Sequence, residues 1–259
     1  MRREKQKGKE KALTILLQKQ KYGHSAQLII AALNEEPGIG LTIAEMKDTL
    51  GEIPILVVDG KSNDRTTEIA RQLGAKVLYQ DGEGKGDALA KALKHINPNA
   101  EYIILTDADY TYPAEYVPTM IKILDENPLI GMVCGNRLTK KVDGETLHTI
   151  FQIGNRILAL AHTFLNGIPM QDPLTGLRVI RAEILRDWQV ESKSFDIEVE
   201  LNSLVSQLGY RIKELPISYR PRLGEKKLKI SHGITILKRI LLKRLALNTK
   251  TQSNLQTDF

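Results

Sequence analysis

Two aspartates separated by one residue, Asp107 and Asp109, follow the apolar run Tyr102–Thr106 (YIILT). Residues i and i+2 of an extended segment point to the same side, so this run would deliver two carboxylates together at its carboxyl end. Open α/β sheets bind ligands at that end of their strands. Neighbouring carboxylates repel unless protons or a cation compensate them. A hard divalent ion, Mg²⁺ or Mn²⁺, bridging to phosphate oxygens meets that need. A solvated acidic turn capping the next helix is the plainer alternative.

Four other segments suit the same kind of ligand. Asp59 ends the run Val57–Val58 and can accept hydrogen bonds from a base or ribose, while Ser62–Thr66 offers helix caps. Leu33 and Glu35, in ALNEE (32–36), would line a base pocket at the end of the first strand. The loop Gly82–Gly86 (GEGKG), with Lys85, resembles a phosphate cradle, but it lacks the spacing of a P-loop and the Ser/Thr after the Lys. No G-x-G-x-x-G follows the first strand either, which disfavours both a P-loop ATPase and a dinucleotide dehydrogenase. Arg220, Arg222, Lys226, Lys227 and Lys229 gather around Gly224 and make a natural anion clamp, with a solvated basic loop as the alternative.

The elements that must position these groups alternate between strand and helix, which predicts an α/β fold with a largely parallel sheet. Strands are expected at Gln27–Leu33, Ile53–Val58, Lys76–Tyr79, Tyr102–Thr106, Gly131–Gly135 and Leu177–Ile180, with Arg211–Leu215 and Ile217–Arg220 extended. Helices are expected over Leu41–Leu50, from a Ser62 or Asn63 cap to Leu73, and over Asp87–Ile96. Another follows Pro113, which suits a first helical turn. The remainder are Thr149–Leu165, Ala182–Trp188, Asp196–Leu208 and Gly233–Leu247. No internal repeat or linker divides the chain. It reads as a basic extension (1–23), one nucleotide-binding domain (24–247) and a polar tail (248–259).

Charge is unevenly distributed over the 259 residues. Residues 1–21 carry +6, residues 220–250 carry +9 and residues 22–219 carry −8. Basic ends point to an anionic partner, either a membrane surface or nucleic acid. With aromatics at 5% and an acidic central body, no stacking platform for nucleic acid is expected. Cys134 is the single cysteine, so no intrachain disulfide forms, and it reads as a small buried residue. No apolar stretch approaches the ~20 residues that cross a bilayer. A cytoplasmic protein is expected, peripheral on the cytoplasmic face of a membrane. The helix 233–247 would supply the contact, or else pack on the body or on a partner subunit of a homo-oligomer.

Taken in order, ALNEE (32–36), VVDGKSNDRT (57–66), GEGKGDAL (82–89), DADYTYP (107–113), GMVCGNR (131–137), QDPLTGLRVI (171–180), SFDIEVEL (194–201), ELPISY (214–219) and RLGEKKL (222–228) resemble glycosyltransferase family 2. The likeness is greatest to the dolichol-phosphate sugar synthases of archaeal type. It implies a GT-A fold, a single Rossmann-like nucleotide-binding domain, and inverting transfer of a hexose from a nucleotide-sugar to dolichyl or polyprenyl phosphate with Mg²⁺ or Mn²⁺. At matching positions it implies that Asp59, with Glu35 nearby, contacts the nucleoside and that Asp107 lies near ribose and diphosphate. Asp109 would ligate the metal, and Arg137 and Arg222 would bind phosphate. Asp172 falls where relatives place a candidate catalytic carboxylate.

Three departures bear on the substrate. Gly60 stands where many relatives have a second aspartate, and Thr111 stands where many mannose synthases have a metal-contacting glutamine. The basic loop also reads R-x-G-E-K-K rather than R-x-x-G-x-S-K. The first two favour a UDP-sugar such as UDP-glucose over GDP-mannose. Alternatives are a GDP-mannose-dependent enzyme, a transferase to a small phosphorylated acceptor, and a degenerate scaffold, which the intact Asp107 and Asp109 disfavour.

Overall fold

The computed structural model describes residues 25–138, 149–225 and 233–242, with the side chains of 149–153 left out of that description. The basic extension, the polar tail, Lys226, Lys227, Lys229 and the last five residues of the expected terminal helix lie outside the described residues.

Among the described residues seven strands form one mixed sheet in the order β3-β2-β1-β4-β6-β5-β7. They are β1 (Ala26–Ala32), β2 (Ile55–Asp59), β3 (Lys76–Tyr79), β4 (Tyr102–Asp107), β5 (Ile130–Asn136), β6 (Arg178–Arg181) and β7 (Arg211–Pro216). Only β6 runs antiparallel to its neighbours, β4 and β5. The helices are α1 (Glu36–Leu50), α2 (Thr66–Gln72), α3 (Gly84–Leu93), α4 (Val117–Glu126), α5 (Thr149–Asn166), α6 (Ala182–Arg186), α7 (Ile197–Gln207) and α8 over residues 233–242. Among the described residues no helix is long and apolar enough to cross a membrane.

Alternation along the strands divides the core between two faces. Leu28 and Ile30 of β1, Val57 of β2 and Ile104 of β4 meet α1 and α4 through Ile39, Ile43, Met120 and Leu124. Ile29, Leu56, Val58 and Ile103 face the other way, onto Ala88 and Leu89 of α3 and Leu201 and Val205 of α7. Cys134 lies in this second layer, fully buried, where burial pushes its thiol up to about 12. It is the small core residue expected.

Several boundaries differ from expectation for local reasons. Helix α1 starts at Glu36, five residues early, because Pro37 fits a first helical turn and Gly38 lets the helix lie against the β4 turn. Ser62 and Asn63 do not cap α2. The Ser62 hydroxyl is engaged by Asp59 and by the Asn34 N–H, and Asp64 accepts the Thr66 N–H instead. Helix α3 begins inside the glycine loop at Gly84, where a Cβ would lie 2.2 Å from the Lys193 carbonyl oxygen. At Gly86 it would lie 2.2 Å from that of Ser192. Close packing on the 192–193 backbone therefore explains two of those glycines. Residues 217–220 form no strand, and α6 stops at Arg186.

Candidate active site

The parallel register brings the chemistry to one edge. Ala32 of β1 pairs with Asp59 and Ala31 with Asp107, so the two aspartates flank β1 at its carboxyl end, two strand spacings or about 10 Å apart. Three non-glycine residues with positive φ sit just beyond these strands: Asn34 at 49°, Lys61 at 68° and Tyr110 at 65°. Such backbone persists where surrounding contacts over-determine it, and it clusters at functional sites.

Asp59 is buried. Its carboxylate accepts the Ser62 N–H at 2.8 Å and the Ser62 hydroxyl at 2.5 Å, which tightens the turn after β2. Glu35 is buried on the neighbouring turn, its N–H donating to Thr66 Oγ1 at 2.8 Å. Leu33 beside it is exposed.

Asp107 closes β4 and receives Lys85 Nζ at 2.8 Å; the same ammonium donates to Glu198 Oε1 at 2.8 Å. Burial raises the Asp107 carboxyl, but Lys85, Arg137 and Arg222 outweigh it and hold it below the ordinary carboxylate range. Lys85 is raised in turn, its two carboxylates outweighing the burial that opposes them. Gly176 lies against this carboxylate so closely that a Cβ there would stand 2.4 Å from Oδ2.

Asp109 falls beyond the end of β4, so a turn sets its direction, not the strand alternation expected from sequence. Oδ1 accepts the Thr111 hydroxyl at 2.7 Å, and Oδ2 accepts Arg222 Nη1 at 2.6 Å. The other Arg222 terminal nitrogen, Nη2, donates to Glu35. Burial, then the charge of Asp107, raises the Asp109 carboxyl. The start of α1 braces this turn: Thr42 Oγ1 receives the Tyr110 N–H at 3.1 Å, and a Cβ on Gly38 would meet the Ala108 oxygen at 2.6 Å.

On the far side, Asp172 is fully buried and forms a two-pronged pair with Arg137, Nε to Oδ2 and Nη2 to Oδ1, each 2.7 Å. Asn155 of α5 donates to the same carboxylate at 3.0 Å. Burial raises Asp172, but Arg137 and these hydrogen bonds keep it low. Arg137 also donates to the Tyr112 hydroxyl at 3.2 Å and lies 5.4 Å over the Tyr219 ring. Arg220 is paired at 2.6 and 2.8 Å with Glu45 of α1 and stacks 4.3 Å over Tyr110.

Sequence reasoning missed several partners. Tyr112 accepts the Gly176 N–H at 2.7 Å, and Glu214 accepts the N–H groups of Gln171 and Asp172. Arg178 is fully buried and bonded to the Pro173 and Thr175 carbonyls and to Asn202, which fixes the 172–176 loop from beneath. Glu198 had a sequence signal: an acid between Ile197 and Leu201 on an apolar helix face needs a buried partner.

The acidic pair fits an open metal site. Among the described residues no three His, Cys, Asp or Glu side chains converge into a closed cage. Mg²⁺ and Mn²⁺ need none, since one or two carboxylates with substrate phosphates suffice. Burial is the first cause that raises the Asp109 carboxyl and the charge of Asp107 the second, and it is this second, repulsive contribution that such an ion relieves.

The model of glycosyl transferase family 2 matches residues 27–188. The dolichyl-phosphate hexose transferase of Haloferax volcanii is 35% identical over 226 residues, covering 85% of this chain and 96% of that protein. The glycosyltransferase AglJ of the same organism is 33% identical over 196 residues, covering 75% of this chain and 63% of that protein. Glucosyl-3-phosphoglycerate synthase of Mycobacterium tuberculosis, solved with Mn²⁺, UDP-glucose and phosphoglyceric acid, superposes with a TM-score of 0.69 at 21% identity. The match covers 88% of this chain and 82% of that one. That likeness establishes a shared GT-A fold.

Proposed function

The chain belongs to glycosyltransferase family 2, and on that premise we propose that it transfers a hexose from a nucleotide-sugar to polyprenyl phosphate with inversion at the anomeric carbon. The observation that carries this reading is the pairing of acids and cations at one sheet edge: Asp107 and Asp109 beside Lys85, Arg137 and Arg222. The acids suit a metal-bound diphosphate; the arginines suit a second phosphate, that of the acceptor. The relative named for dolichyl-phosphate hexose transfer supports a lipid acceptor.

In this reading the nucleoside lies over the ends of β1 and β2, with Leu33 against the base and Asp59 and Glu35 as hydrogen-bond acceptors. Asp107 and Asp109 hold Mg²⁺ or Mn²⁺, which supplies charge neutralisation for the departing diphosphate. Lys85 orders the Asp107 carboxylate and adds positive charge beside that leaving group. Arg222 exchanges its bonds to Asp109 and Glu35 for phosphate oxygens, and Lys227, further along the sequence, adds a further positive charge. Arg220, clamped by Glu45, anchors the base of that loop.

An acceptor phosphate is already ionised near neutral pH, so attack on the anomeric carbon needs no strong base. The acceptor oxygen forms the new bond to that carbon as the bond to the nucleoside diphosphate breaks. Asp172 accordingly acts by aiming Arg137. The lipid acceptor confines the enzyme to a bilayer surface, and the two carboxylate-turn departures favour a UDP-sugar.

A thermal-shift screen of UDP, GDP and their sugars, with and without Mn²⁺, tests the donor site. UDP-glucose with Mn²⁺ is expected to stabilise most; stabilisation by none of them would overturn the assignment.

A further inference from the structure

Helix α5 exposes Ile157, Leu160 and Phe164, and α8 exposes Ile234, Leu237 and Leu241, in each case at the i, i+3, i+7 spacing of one helical stripe. Phe164 is 79% exposed, Ile234 73%, Ile157 58% and Leu160 57%. These side chains are surplus to the core. The two helices already share a buried cluster, Leu158 with Ile236, Ile240 and Val199 of α7. Arg239 fastens α8 to the body through Asp196 and Glu191.

We infer that the outer faces of α5 and α8 form a platform that docks onto an anionic phospholipid bilayer; this rests on the lipid-phosphate reading above and assigns it a surface. The charge around the stripes selects the occupant. Neither residues 149–166 nor residues 233–242 contain an Asp or Glu, and residues 226–250 carry eight Lys or Arg with no acid. Exposed Arg156 and Lys238 belong to the same two helices. Apolar stripes bordered by cations are the signature of an interfacial helix, with basic groups drawn to acidic headgroups. A second copy of the chain is a poorer occupant, because a two-fold interface would set this basic face against itself.

The platform is tied to chemistry through the other side of α5. Asn155, on its inner face, donates to Asp172, which holds Arg137. One helix, about 10 Å across, and the Asp172 carboxylate beneath it therefore stand between the proposed phosphate-binding guanidinium and the bilayer. A polyprenyl phosphate could reach it with its chain still in the lipid.

The test is co-sedimentation of the full chain, at low salt, with phosphatidylglycerol–phosphatidylcholine vesicles that contain no polyprenyl phosphate. Wild-type protein is expected to bind. The pairs Leu160→Glu with Phe164→Glu, and Ile234→Glu with Leu241→Glu, each change exposed residues on a different helix. Each pair is expected to weaken binding by about tenfold or more, with UDP-glucose still raising the melting temperature. Absence of wild-type binding overturns the platform. So does binding that both pairs leave intact, or a wild-type dimer that the pairs split without any vesicle binding. Vesicle binding without sugar transfer to polyprenyl phosphate would instead sink the acceptor reading and leave the surface standing.

Discussion

Asp172 grips Arg137 with both carboxylate oxygens, at 2.7 Å each, and takes the Arg137 backbone N–H at 3.0 Å as well. In the proposed mechanism a carboxylate held this way orients the guanidinium, and a proton acceptor would be recognised by a different kinetic signature. Asp172→Asn keeps the shape but removes the charge from two charge-assisted bonds. Acceptor kcat/KM should fall by about 10- to 100-fold. The acid limb of the pH profile should stay where it is; its disappearance would identify Asp172 as the base.

Two glycines beside the acidic pair should separate stability from binding. Gly38→Ala drives a Cβ into the Ala108 oxygen and the Asp109 Cα, at 2.6 and 2.7 Å. Backbone cannot step aside as a side chain can, so we expect a loss of about 1–3 kcal/mol in denaturant unfolding. Gly176→Ala presses instead on the Asp107 carboxylate. That group must rotate off Lys85, so calorimetric affinity for UDP with Mn²⁺ should drop about tenfold or more, with a smaller effect on unfolding.

Arg222 spans two carboxylates with its two terminal nitrogens. Lysine offers a point charge and cannot reproduce that fork, either on the carboxylates or on the phosphate oxygens proposed to replace them. Arg222→Lys should therefore cost kcat by about tenfold or more in steady-state transfer assays, since one hydrogen bond to a charged group is lost.

His162 links stability to pH. It is fully buried, with Nδ1 3.0 Å from Asn166 Nδ2 and Nε2 without a hydrogen-bond partner among the described residues. Burial, reinforced by the charge of Arg178, pushes it down to about 4 from 6.5. Above pH 6.5 both the folded and unfolded states hold it neutral and nothing changes. As pH falls from 6.5 to 4 the unfolded chain takes up a proton that the folded chain refuses, so stability declines by up to roughly 3 kcal/mol. Urea unfolding of His162→Gln should show a flatter pH dependence over that window.

Much of this was legible in the residues. Runs such as YIILT and IPILVV declared buried parallel strands, and the register then placed Asp59 and Asp107 on either side of β1. The antiparallel β6 was not legible, because four residues carry no sign of direction. Nor were the clamps on Arg137, Arg178 and Lys85. Their side-chain partners lie 22 to 113 positions away, as in Lys85 with Asp107 and with Glu198, and only the closed fold brings them together. The packing role of the glycine loop was not legible either: two of its glycines are needed for packing on Ser192 and Lys193, which no local pattern reveals.

The central claim is that metal held by Asp107 and Asp109 serves sugar transfer to a lipid phosphate. Its most direct test is a transfer assay with labelled UDP-glucose, offered polyprenyl phosphate and 3-phosphoglycerate side by side, with Mn²⁺ or with EDTA. The account predicts label in the lipid, abolished by EDTA and by Asp109→Ala. Label found only in the small acceptor, or lipid labelling indifferent to both treatments, would contradict it.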